Sequence, residues 1–112
     1  MRVAILGNWK KDELREVMLD VVNEFPLFCV VCGGNDEKSY RSSAGYKWAI
    51  ENGAPVEFLK MEGKTEDQVI EKLVWTIDYA IIAYDGENAL LRKLIMKMKN
   101  SGKHGKVIKY DK

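Results

Sequence analysis

The chain has 112 residues, 46% of them apolar and 31% charged, which is enough for one globular domain whose core needs no staple. A formal charge of +1 argues neither for nor against a polyanionic partner, but its distribution is uneven. From Arg92 onward eight Lys or Arg face only Asp111, while positions 1–91 hold 10 basic against 16 acidic residues. Such a stretch is ordinarily a solvated helix face and strand end; the alternative is a patch for phosphates or a polyanion.

Residues 2–6, RVAIL, form a short, continuously apolar strand that ends at Gly7, and the lack of alternation predicts a parallel strand covered on both faces. The apolar run there is too short for a signal sequence or a membrane span, so a cytoplasmic protein is expected. Asp12 is the expected cap of a first helix, whose stripe is Leu14, Val17, Met18, Val21, Val22 and Phe25 and whose stop is Pro26. Residues 27–32 read as a second apolar strand, closed by a turn at Gly33 and Gly34 where backbone and ligand can approach closely. Cys29 and Cys32 have CxxC spacing, but three residues along a strand they point to opposite faces, so both read as buried thiols of a reducing compartment.

A polar loop over 35–41 leads to Ser42 or Ser43 as N-cap of a second helix, in which Gly45 and Ala49 allow close packing on the sheet, before Gly53 stops it and Pro55 forbids continuation. Residues 56–61 alternate more and predict a strand nearer an edge. Thr65 and Gln68 form a capping box for a third helix with Val69, Ile70, Leu73, Val74 and Ile77 on one stripe. Residues 79–84, YAIIAY, are a fourth buried strand. Asp85-Gly86 opens a fourth helix with its stripe at Leu90, Leu91, Leu94, Ile95 and Met98; residues 100–102 stop it, and 106–110 are a fifth strand. Trp75 and Met96 fall off the main stripes, as residues of a subunit interface do, or ordinary exposed apolar residues.

Alternating strands and helices with short connections predict an α/β fold: a single Rossmann-like, three-layer αβα sandwich with a five-stranded, mainly parallel sheet and about four helices. With strand order 3-2-1-4-5, ligands bind beyond the carboxyl ends of the strands, in a crevice between the first and fourth. Three glycine-marked segments would line it: Gly7-Asn8-Trp9; Gly33-Gly34-Asn35 with Ser42 and Ser43; and Tyr84-Asp85-Gly86-Glu87-Asn88. There is no GxGxxG after the first strand and no Walker loop, which argues against a classical NAD or ATP site. With one histidine, His104, expected in the loop before the last strand, neither a metal cluster nor a cofactor is expected.

An apolar first strand ending in glycine, VVCGG ahead of a helix bearing KWAIENGAPVEF, and DYAIIAYDG before the last helix and strand together resemble the small SLOG-superfamily proteins of the DUF2493 type. Gly33-Gly34 with Trp48-Ala49, Gly53 and Pro55-Val56 match the second-strand pattern, and Ala83-Tyr84-Asp85-Gly86 the fourth-strand turn. The superfamily, named from the DprA/SMF and LOG proteins, implies the strand order above, a nucleotide or nucleotide-derived ligand, and a homo-oligomer. Departures are informative. The family's Gly-Ala-Asp run is replaced by a longer loop offering Ser42 and Ser43, and its Arg-Asn pair is missing near Ile70-Glu71. Aligning the phosphoribohydrolase motif PGGxGTxxE on Gly86 puts Arg92 at the catalytic glutamate. General acid-base work needs a titratable group there, so binding without turnover is expected.

On this reading Gly33, Gly34 and Asn35 hold phosphate through backbone amides, with Ser42 or Ser43 adding hydroxyls at a helix N-terminus. Asn8 and Asp85 face ribose, Trp9 or Tyr84 the base, and Gly86, Glu87 and Asn88 complete the rim. A domain of this size can sense a nucleotide signal or sequester one, as a phage-encoded protein would against a host defence signal. Two other classes stay open. A nucleoside-monophosphate or N-glycosidic hydrolase would need Asp85 or Glu87 as its carboxylate, residues that otherwise complement a helix N-terminus. A DprA-like nucleic-acid binder would use the basic tail.

Overall fold

Strands that are apolar at every position must be covered on both sides, and the chain achieves this with helices on each face of one sheet. A computed structural model describes residues 1–34, 36, 38 and 41–109. Among these the order is β1 (Arg2–Gly7), α1 (Lys11–Glu24), β2 (Cys29–Gly34), α2 (Ala44–Asn52), β3 (Val56–Lys60), α3 (Glu66–Thr76), β4 (Tyr79–Tyr84), α4 (Ala89–Asn100) and β5 (His104–Lys109). The five strands form one parallel sheet in the order β3-β2-β1-β4-β5, with β3 at an edge as its alternation predicts. This is an α/β, Rossmann-like sandwich. Among the described residues no helix is long and apolar enough to cross a membrane.

Alternate residues of the strands enter two separate cores. Val3, Ile5, Val30 and Ile81 pack under α1 and α2 with Leu14, Met18 and Ala49. Ala4, Val31 and Ile82 pack under α3 and α4 with Leu73, Leu94 and Met98. Gly45 is the small residue that lets α2 settle over β1 and β2: a Cβ there would come within 3.0 Å of the Ile5 Cβ. Ser43 accepts from the Tyr46 N–H at 3.2 Å as the α2 N-cap, and Gly53 closes the helix in the left-handed conformation.

The capping box of α3 is complete, with Thr65 Oγ1 accepting from the Gln68 N–H and Gln68 Oε1 accepting from the Thr65 N–H at 2.9 Å. Thr65→Ala should therefore lower the unfolding free energy by about 1 kcal/mol, measured by urea titration, with no effect on ligand binding.

Several boundaries differ from the sequence expectation, each because a partner outweighs a local signal. Asp12 is not the cap of α1; the helix starts at Lys11 with Lys10 at the N-cap and no side-chain cap bond, leaving Asp12 in the first turn beside the helix dipole. The second strand is shifted two residues onward and includes Gly33 and Gly34, which pair with Leu59 and Lys60 of β3. Neither glycine has a positive φ, so the expected glycine turn is extended strand instead. The fourth helix begins at Ala89, not at Asp85-Gly86, and β5 begins at His104, which pairs with Tyr79 and so is a strand residue. Cys32 is buried but Cys29 is only half-buried; both are free thiols.

Candidate functional site

The sheet opens on one side of β1 and stays closed on the other. Pairing of β1 with β4 continues to its last residue, Gly7 opposite Ala83, whereas pairing with β2 stops at Ala4 opposite Val31 and β2 continues beside β3 alone. Above this split the start of α1, with Lys11, Leu14 and Arg15, faces α2 along its length at Ala44, Lys47, Trp48 and Glu51, both helices lying on the same face of the sheet. Between them lies a cleft of about 490 Å³. That is within the range of roughly 300–1,000 Å³ usual for small-molecule sites.

Of the residues singled out from sequence, Gly7, Asn8, Trp9, Ser42 and Ser43 all line this cleft. Trp9 is the buried member of the lining: the residue is only 8% exposed, and its Nε1–H donates to the Leu6 carbonyl at 2.8 Å. Trp48 stands in the wall, its ring stacked on Phe28 at a centroid distance of 6.2 Å. Ser42 is exposed, and Ser43 is half-buried at the start of α2. Below it, burial pushes the Cys32 thiol up in pKa, an effect opposed by a hydrogen bond with Ser43, so the thiol stays protonated at neutral pH.

The second group of expected site residues lies elsewhere. Gly33 and Gly34 are strand residues outside the cleft lining, and a Cβ on Gly33 would face Met61 on the opposite side of the sheet. Tyr84 packs against the core under α3 and α4, so it and Trp9 lie on different faces of the sheet. Asp85 organises its own turn, its Oδ1 accepting from the Glu87 N–H at 2.8 Å and the Asn88 N–H at 2.9 Å. Asn88 in turn caps α4 by accepting from the Leu91 N–H at 3.0 Å. Gly86 and Glu87 belong to the same turn, on the β4 side of β1, away from the cleft. Asn35 lies outside the described residues. The cleft thus lies between α1 and α2 at the end of β1, and none of Tyr84 to Asn88 lines it.

Three cations line the cleft that sequence reading passed over: Lys11 and Arg15 on α1 and Lys47 on α2. Lys11 is bridged across the mouth to Glu51 of α2 at 3.1 Å, whereas Arg15 and Lys47 make no ion pair among the described residues. A signal for them was present. Cations in the first turns of helices oppose the macrodipole, and α2 has no acidic residue in its first turn to offset Lys47. Two helix N-termini and three cations around one cleft create a positive field suited to an anion.

Three residues of the basic tail hold acidic partners. Lys93 bridges Glu66 and Lys97 bridges Glu71 between α4 and α3, and Lys106 of β5 bridges Asp20 of α1 at 3.0 Å. The hydrogen bond with Asp20 raises the Lys106 pKa above its ordinary value. Among the described residues no three His, Cys, Asp or Glu side chains converge as metal ligands. Comparison with protein-family models, with curated proteins and with solved structures returned no match.

Proposed function

We propose that this protein binds a nucleotide or nucleotide-derived small molecule, of the mononucleotide, cyclic or ADP-ribose-like kind, and does not turn it over. The observation that carries this reading is the cleft at the carboxyl end of β1, lined by the starts of two helices and by Lys11, Arg15 and Lys47. Phosphate would be held by the amides and hydroxyls at the start of α2 together with Arg15 and Lys47, with Asn8 within the same cleft for a ribose hydroxyl. Trp48 supplies an apolar wall for the base. This is the ligand class that the SLOG resemblance implies, with the phosphate carried by α1 and α2 in place of the glycine pair. A cytoplasmic sensor or a sequestering protein follows from binding without chemistry.

Two observations favour this reading over its rivals. Of the two carboxylates a hydrolase would need, Asp85 is tied to the amides of its own turn, and neither it nor Glu87 lines the cleft. The basic residues a nucleic-acid binder would use are spread over α4 and β5, and three of them already hold acidic partners.

The test is a thermal-shift screen of the purified protein against mononucleotides, cyclic nucleotides, ADP-ribose and a short single-stranded DNA, with each hit chromatographed before and after incubation. A nucleotide that raises the Tm and returns unchanged supports the proposal. A hit that returns cleaved makes the protein a hydrolase, and stabilisation by DNA alone moves the site to the basic tail. Glu51→Gln should tighten binding of the stabilising nucleotide by about two- to fivefold, because Glu51 competes with it for Lys11 in an exposed pair worth about 0.5–1 kcal/mol. Isothermal titration at low salt measures it.

A further inference from the structure

The two edges of the sheet differ in how far they are open. β3 is half-buried at Val56, Glu57 and Phe58, whereas β5 is exposed at His104, Gly105, Val107 and Lys109. β5 pairs with β4, and among the described residues no backbone hydrogen bond reaches its outer side, where the N–H and C=O groups of an edge strand form a template for another chain. Lysines on an edge ordinarily block such pairing. Here two of them turn back onto their own chain: Lys106 bridges Asp20 of α1 at 3.0 Å, and the Lys109 Cε lies 3.1 Å from where a Cβ on Gly86 would stand. The faces flanking the edge are unlike. Val107, opposite Ile82, belongs to the α3 and α4 side, where Ala80, Ile82, Ile95 and Met98 line with it a largely apolar cavity of about 190 Å³ rimmed by Lys99 and Lys103. Ile108, opposite Ala83, belongs to the α1 side, and the recess of about 410 Å³ there is lined by Glu13, Glu16 and Asp20 against one cation, Lys109. Asp20 is taken up by Lys106, but Glu13 and Glu16 make no ion pair among the described residues.

We propose that the outer edge of β5 takes up an extended segment of a partner protein as an added strand, one in which a large apolar residue stands next to a lysine or arginine. In recognition of this kind the main-chain ladder supplies affinity and the pockets for alternate side chains supply specificity. Successive residues of a strand face opposite sides of the sheet, as Val107 and Ile108 do, so neighbouring residues of the added strand enter the two recesses. The apolar one fills the cavity beneath α4, and the cation beside it meets Glu13 and Glu16 of α1. The opposite placement is disfavoured, because it sets the cation beside Lys99 and Lys103 and an apolar side chain among carboxylates. β4 separates β5 from β1, at whose end the ligand cleft lies, so this partner site neither needs nor disturbs the proposed function.

An array of short peptides tests it, with every residue pair placed at the two central positions of an alternating threonine and serine background and the labelled full chain as probe. The array should select leucine, isoleucine, methionine or phenylalanine next to lysine or arginine. Fluorescence anisotropy then measures the selected peptide. Glu13→Lys with Glu16→Lys, both at exposed positions, should weaken it by about tenfold or more and remove the preference for a cation. Because every other N–H of an added strand points at its neighbour, N-methylation of one alternate set of peptide nitrogens should abolish binding to the wild type while methylation of the other set leaves it. Absence of peptide binding overturns the proposal, as does selection of peptides without that pair. So does binding indifferent to methylation of both sets, or an edge held by a second copy, seen in sedimentation velocity as a dimer that excludes the peptide. Should the doubly reversed chain fail to fold, the methylated peptides decide the question on the wild type alone.

Discussion

Reversing Arg15 and Lys47 together to glutamate should weaken binding of the stabilising nucleotide by about a hundredfold or more. Both side chains line the cleft at the helix starts and neither is neutralised by an ion pair among the described residues. A charge-assisted hydrogen bond to phosphate is worth about 1.5–3 kcal/mol, and exposure of these two residues reduces that to about 1–1.5 kcal/mol each. Loss of both is about 2–3 kcal/mol, or roughly 30- to 150-fold, and the new negative charges add repulsion. Stability without ligand should move by less than about 1 kcal/mol, because neither side chain is in the core. The control is Lys99→Glu with Lys103→Glu, two tail positions outside the cleft. If the control pair abolishes binding and the cleft pair does not, the site is the basic tail.

Gly7→Ala should cost about 3–5 kcal/mol of unfolding free energy, a large part of the 5–15 kcal/mol typical of a domain this size. The residue has φ of +91°, and a Cβ there would overlap the carbonyl oxygen of Ala83 on β4. Left-handed backbone alone costs an L-residue about 1–2 kcal/mol. The remainder comes from prising β1 away from β4 at the point where their pairing ends. Gly53→Ala separates the two contributions, since Gly53 has φ of +68° but open space where the Cβ would go. It should cost only the backbone share, about 1–2 kcal/mol. Equal losses in urea titrations of the two variants would show that the close approach of β1 and β4 contributes nothing. Gly7→Ala should also impair ligand binding, because Gly7 lies at the cleft itself.

The fold was legible in the chain because its signals are local and repeated. Apolar runs such as IIAY in β4, helical stripes such as Leu91, Leu94 and Met98, and the Thr65 and Gln68 capping box each point to one element, and their alternation leaves few topologies open. The candidate site was half legible. Gly7, Asn8, Trp9, Ser42 and Ser43 follow from where strands end and helices begin, and they do converge. The glycine pair misled, because Gly33 and Gly34 have the freedom to turn but also a free place beside β3, and ladder hydrogen bonds with Leu59 and Lys60 won.

By itself, then, the sequence determined the elements and the covered parallel sheet, since these rest on side-chain periodicity and on short-range stop signals. Where the cleft falls was decided only by the tertiary structure. Gly7 holds β1 to β4 through its last residue, and the cleft lies between α1 and α2 at the end of β1. Lys11, Arg15 and Lys47, up to 36 positions apart in the chain, become one positive cleft only when those two helices lie side by side. Three-dimensional proximity of that kind leaves no trace in local spacing.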